Sequence, residues 1–145
     1  MTSRATSAVL PDPVRAFLER PRFASVATID DDGQPRQTVV WYLLEGDTLV
    51  INSKVGRRWP ANLARDRRLA VSIVDPEDGY RWLGLTGHTD IIDDPDQALA
   101  DISAMAHRYY PHDPGHAERL IERTFRPQRR ISFRIHLDEV HDHLD

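Results

Sequence analysis

Three runs of β-branched, aromatic and aliphatic residues follow one another closely near the start of this chain. They are residues 23–29 (FASVATI), 37–44 (QTVVWYLL) and 48–51 (TLVI). The first two flank Asp30-Asp31-Asp32-Gly33, and Glu45-Gly46-Asp47 separates the last two. Each run has strand composition and each connection has turn chemistry, with Gly33 suited to a left-handed turn position. The pattern predicts three strands in a meander. Further strands are predicted at 69–74, at 80–92 and at 130–140. In the last, Ile131, Phe133, Ile135 and Leu137 alternate against Ser132, Arg134, His136 and Asp138. Gly84 and Gly87 mark bends or bulges in the long fifth strand.

Helical patterning is confined to a few places. Asp12-Pro13 reads as N-cap and first position of a short helix with Val14, Phe17 and Leu18 on one face. Asp93-Asp94-Pro95 leads into a helix at 96–109 carrying Leu99, Ile102, Met105 and Ala106 on its face. The proline-rich stretch 111–114 breaks it, and a second helical piece covers 115–125. Six antiparallel strands with glycine bends and these helices predict a mainly β, α+β fold, a small curled barrel. Residues 1–10 read as a flexible tail and 11–145 as a single domain, with no repeat, linker or signal segment.

Composition narrows the function. The 145 residues contain no cysteine, which removes disulfides, thiol catalysis and thiolate metal sites and agrees with a cytoplasmic protein. A net charge of −4 argues against general nucleic-acid binding, and no run is long and apolar enough for a membrane span. Lys54 is the only lysine, so the positive charge is almost all arginine, the side chain best shaped for oxyanions.

The chemistry concentrates in residues 47–68, DTLVINSKVGRRWPANLARDRR. A strand at 48–51 is expected to end in a polar turn, Asn52 to Gly56, where Gly56 is free to take a positive φ. A short helix follows with Pro60 in its first turn. Arg57 and Arg58 then stand beside the unpaired N–H groups and positive dipole end of that helix. This reads either as a phosphate cradle or as solvated charges steering a turn.

Together these residues resemble a known family. The hairpin ATI…DG…P, the segment NS…GRR…NL-RD-R and the strand D-EDG…L-G are similar to those of flavin- and deazaflavin-dependent oxidoreductases related to pyridoxamine 5′-phosphate oxidase, closest to the actinobacterial branch that uses coenzyme F420. The resemblance runs over about residues 12–140. It implies a split β-barrel that forms a homodimer, with cofactor sites in the clefts between subunits. It implies hydride transfer between coenzyme F420 and a small organic substrate, centred on the cofactor with no catalytic side chain. FMN chemistry, or a flavin, deazaflavin or haem carrier without turnover, are the alternatives.

Residue by residue, the resemblance puts Thr38, Val39, Val40 and Trp41 along the cofactor ring. Asn52, Ser53, Arg57 and Arg58 fall on the segment that holds the anionic tail, and Asn62 on the asparagine of the following helix. Tyr80 and Trp82 reach toward the partner's site. Trp59 stands where many relatives have a lysine, so Arg58 or Lys54 has to substitute. Arg57, Arg58, Arg65 and Lys54 make a positive surface longer than one phosphate requires. The two-fold interface is expected on the inner face of the curled sheet together with Tyr80 and Trp82. No metal site is expected: His112 and His116 are separated by Pro114-Gly115, and no HExxH pattern occurs.

Overall fold

The computed structural model of the chain describes residues 8–145. The expected tail falls mostly on residues 1–7, which lie outside the described residues. From Ala8 onward the chain is held, because its N–H donates to the Leu137 carbonyl at 2.8 Å and Leu10 is buried.

Among the described residues seven strands, one more than expected, form a single antiparallel sheet. They are β1 (Ala24–Ile29), β2 (Pro35–Val40), β3 (Leu43–Glu45), β4 (Thr48–Lys54), β5 (Arg68–Asp75), β6 (Asp78–Ile92) and β7 (Arg130–His143). Their order in space is β2-β1-β5-β6-β7-β4-β3. The two edge strands, β2 and β3, are therefore consecutive in the chain. From Val40 to Leu43 the backbone can span no more than about 10 Å. The sheet has to curl until its edges nearly meet, and Trp41-Tyr42 bridges the opening. The result is a split barrel that does not close.

The run 37–44 thus divides into two strands on opposite edges instead of making one. Tyr42 causes the break. Its side chain is fully buried, and its hydroxyl donates to the carbonyls of Leu18 and Arg20 at 2.9 and 3.0 Å. Those carbonyls end helix α1 (Asp12–Glu19), where no intrahelical donor remains. Arg108 donates to the carbonyls of Leu18, Glu19 and Arg20 as well. Burial raises the Tyr42 pKa well above the ordinary phenol range. Tyr42→Phe, which removes one buried donor but keeps the ring, is expected to lower stability by about 1–2 kcal/mol in urea unfolding. No change in the urea midpoint would mean that Arg108 alone satisfies those carbonyls.

Helix α1 begins differently from expectation. Pro11 holds the cap position without a side-chain bond, and Asp12 is the first helical residue. Its charge still suits the positive helix end. Val14, Phe17 and Leu18 are buried as the periodicity predicts. Helix α2 (Arg58–Arg65) follows Gly56, whose φ is +106°, and contributes Trp59 and Leu63 to the core. Helix α3 (Pro95–Tyr109) is capped by Asp94, whose carboxylate accepts from the N–H groups of Asp96 and Gln97. Helix α4 (Pro114–Leu120) runs on into a π turn, Ile121–Phe125. No helix among the described residues is long and apolar enough to cross a membrane.

The barrel interior is filled by Tyr42, Leu49, Ile51, Ile73, Leu83, Leu85, Phe133, Ile135 and Leu137. The inner face is therefore packed, not open for a partner as expected. The open face is the outer one of β1, β5 and β6, where small side chains, among them Ala27, Ala70, Ser72 and Gly84, line two shallow hollows. Strand β4 is buried on both sides. Leu49 and Ile51 face the barrel, while Val50 packs with Ile102 and Met105 of α3. That double cover is why β4 continues past Ile51 through Asn52 and Ser53 to Lys54, where a turn was expected. Asn52 and Ser53 pair with Ser132 and Ile131 of β7. Glycine in β6 has one structural use that stands out. The β6–β7 register shifts between Thr86 and Gly87, and Gly87 lies so close to the His136 carbonyl that an added Cβ would fall 2.2 Å from it. At Gly84 the ladder is regular, and the missing side chain leaves room for the Trp82 ring.

Candidate cofactor cleft

A cleft of about 400 Å³ opens beside the split in the barrel. One wall is the end of β2 and the residue after it, Thr38, Val39, Val40 and Trp41; the opposite side is Ile102 and Met105 of α3 with Thr124 and Phe125 of the π turn. The volume lies within the range of small-molecule sites, about 300–1,000 Å³. Trp41 is held flat by stacking on Tyr109 at 5.0 Å and by the edge of Phe125 at 6.4 Å. Trp59 closes the floor, buried against Phe133 at 5.6 Å, so it serves core and cleft at once. Phe23, expected inside the first strand, instead precedes β1 and is exposed at the rim.

The far end of the cleft is cationic. Arg57 occupies the cap position of α2, and Arg130 opens β7; both line the cleft. Neither forms an ion pair among the described residues, and no acidic residue lines the cleft. Arg130 is only 5% exposed. Its Nε donates to Asn52 Oδ1 at 2.9 Å and its Nη1 to Gln128 Oε1 at 2.5 Å. Burial, and after it the charge of Arg57, push the Arg130 pKa down to about 10. It remains charged at neutral pH, so the cost of burying it falls on the fold.

Asn52 is the hinge of a buried chain. Its Nδ2 donates to the Ala98 carbonyl and to Ser132 Oγ, each at 2.9 Å, and Ser132 Oγ donates to Asp101 Oδ2 at 2.7 Å. The pairing of Asn52 with Ser132, and of Lys54 with Arg130, brings these side chains within reach across the ladder.

The structure gathers Thr38, Val39, Val40, Trp41, Asn52 and Arg57 around one cleft. The other site candidates lie elsewhere in this chain. Ser53 points away from it, its hydroxyl donating to the Lys54 carbonyl at 2.9 Å, and Lys54 is exposed at the strand end. Arg58 leans toward Asp30 at 3.5 Å. Arg65 donates to the Ile29 carbonyl and to Asn62 Oδ1. Asn62 is buried and donates to Thr28 Oγ1 at 3.1 Å and Asp30 Oδ1 at 2.9 Å, which ties α2 to the first hairpin. That bond, then Arg36 and Arg58, holds the Asp30 carboxyl below its usual pKa. Tyr80 is 91% exposed near the β5–β6 turn, and Trp82 stacks on His143 at 4.5 Å on the outer sheet face.

Arg130, Gln128, Phe125, Met105 and Ile102 were not singled out as site residues from the sequence. The one available signal was the pair Arg129-Arg130 at the head of a strand, and strand pairing alone shows which of the two turns inward. Among the described residues no group of three histidine or acidic side chains is placed to hold a metal ion. His88, the histidine of β6, faces Asp138 at 3.1 Å.

Comparison with known proteins completes this picture. No curated protein matches the chain. Among solved structures, an F420 reductase is 24% identical, with 91% of this chain and 98% of that one covered and a TM-score of 0.72. The conserved hypothetical protein Rv2991 of Mycobacterium tuberculosis is 21% identical, with 99% and 91% covered and a TM-score of 0.73. The heme storage protein HutZ of Vibrio cholerae is 12% identical, with 93% and 95% covered and a TM-score of 0.65. At such identities these likenesses speak to the fold. The family model described as pyridoxamine 5′-phosphate oxidase matches residues 10–143, nearly the whole chain. With its split barrel and this match, the chain belongs to the pyridoxamine 5′-phosphate oxidase family.

Proposed function

We propose that the protein is an oxidoreductase that transfers a hydride between coenzyme F420 and a small organic substrate. The observation that carries the reading is the cleft's division into a flat apolar wall and an uncompensated cationic end. A tricyclic ring with an anionic tail has those two halves. Val39, Val40 and Trp41 would lie along the ring and keep water from it, while Arg57 would meet the tail beside the first turn of α2. When bound, the deazaflavin supplies the hydride chemistry itself. The chain's contribution is orientation, dryness and charge, which agrees with a cleft lined by no histidine, cysteine or carboxylate. Within one chain, Met105 is the only lining residue of a usual haem-ligand type. The F420 reductase among the structural neighbours supports the choice of cofactor.

FMN is the second reading, because one phosphate could engage Arg57 alone. Titration of both cofactors decides: tighter binding of FMN than of coenzyme F420 overturns the first choice. The spectrum and mass of whatever co-purifies from a host making both provide an independent check.

The reading includes a homodimer. Phe23 and Val39 at the cleft rim are 63% and 65% exposed, and Tyr80 is free on the far hairpin. A second copy would cover them, bring Tyr80 and Trp82 to the neighbouring cleft, and bury more than about 2,000 Å² in total. Light scattering at micromolar concentration is expected to give twice the chain mass. A monomer would remove the shared cleft.

A further inference from the structure

We infer that Arg130 is the buried half of a two-arginine clamp, which with Arg57 takes a ligand group carrying at least two negative charges. This deepens the cofactor reading above and rests on it for the ligand's identity, though the clamp can be tested without it.

Arg130 is buried, yet both of its acceptors, Asn52 Oδ1 and Gln128 Oε1, are neutral amide oxygens. Its Nη2 group has no hydrogen-bond partner among the described residues. A buried guanidinium without a facing carboxylate costs stability, and a second guanidinium in the same cleft adds repulsion. Its two hydrogen bonds hold the side chain but leave its charge unneutralised within the chain.

The surroundings nevertheless hold it firmly. The nearest carboxylate in the bonding chain, Asp101, accepts from Ser132, which accepts from Asn52, whose carbonyl oxygen receives Arg130 Nε. Each bond polarises the next, so the negative charge behind strengthens the grip on Nε while the outer edge of the fork stays unengaged. Asn52 is thus a positioning residue. Phe125 packs against the guanidinium at 4.9 Å and limits its swing. Arg130, held in place, and the exposed Arg57 in the same acid-free cleft match a phosphate dianion, or a phosphodiester with a neighbouring carboxylate.

The test uses the full chain after dialysis, with inorganic pyrophosphate as probe, read by calorimetry and thermal unfolding. Wild type is expected to bind it and to unfold at higher temperature in its presence. Arg130→Gln keeps a donor for Asn52 and should weaken that binding at least about tenfold. Its own unfolding temperature without ligand should stay level or rise by about 2–4 °C, because an unpaired buried charge is gone. Arg130→Lys, which keeps the charge but not the fork, should fall between the two.

Pyrophosphate affinity unchanged in Arg130→Gln, or no binding by wild type at millimolar concentration, overturns the clamp. A clear drop in the unliganded unfolding temperature, or failure to fold, does so too, since Arg130 would then be structural. Arg130-dependent pyrophosphate binding without any binding of coenzyme F420 or FMN keeps the clamp and removes the proposed function. Cofactor binding indifferent to Arg130→Gln does the reverse.

Discussion

Gly87→Ala is expected to lower the unfolding free energy by about 3 kcal/mol, at the upper end of what forcing one methyl group into a packed site costs. The added carbon would sit 2.2 Å from the His136 carbonyl oxygen and 3.2 Å from Ile135 Cγ2. The obstacle is backbone, so β6 and β7 have to separate where their register already shifts between Thr86 and Gly87. This is the middle of the barrel wall, and neither strand can move without disturbing Leu85, Leu137 and the ladder to β5. Gly84→Ala is the internal control. There the close atom is Cζ3 of Trp82 at 2.9 Å, the end of a side chain on the outer face that can rotate away. Urea unfolding should show a much lower midpoint for Gly87→Ala with little change in slope, and a small shift for Gly84→Ala. Equal stability of the two variants would mean that the close approach at Gly87 is relieved at no cost.

Arg57→Ala is expected to weaken cofactor binding by about ten- to a hundredfold, since a hydrogen bond to a charged group contributes about 1.5–3 kcal/mol. Arg57 is exposed, stands at the start of α2 and has no acidic partner among the described residues, so its removal leaves no orphaned carboxylate. Stability should change by less than about 0.5 kcal/mol. The affinity loss should shrink as salt rises, because screening weakens the wild-type attraction more than the variant's. Arg67→Ala is the control. Arg67 lies beyond α2, 3.9 Å from Asp90 in an exposed pair, and its loss should leave binding unchanged. If Arg57→Ala binds like wild type, the start of α2 is only a turn with a charge on it. Arg58→Ala should have the smaller effect of the two arginine variants in the turn, since Arg58 leans toward Asp30 instead of the cleft.

The differences between expectation and structure share a pattern. Asn52 and Ser53 have poor strand propensity and were expected in a turn, but β7 on one side and α3 on the other extend β4 over them. The run 37–44 looks continuous, but the buried hydroxyl of Tyr42, drawn to the carbonyl end of α1, divides it between two edges of the sheet. In both cases partners distant in the chain outweighed a local preference.

Much of the molecule was nonetheless legible in advance. Strand alternation, the Gly33 and Gly56 turns, the Asp94 cap and the apolar faces of α1 and α3 are interactions between residues a few positions apart, and the sequence displays them directly. The family was legible too, and the resemblance named Thr38 to Trp41, Asn52 and Arg57, which the fold gathers around one cleft. The rest of the lining was decided only in three dimensions. Arg130 meets Asn52 because β4 and β7 pair with Lys54 opposite Arg130, and Phe125 meets Trp41 because α4 ends in a π turn over the split. Register across 78 residues and the curl that brings β2 beside β3 come from packing the whole barrel at once. No local pattern encodes them, so an arginine that reads as one more surface charge becomes the buried end of the cleft.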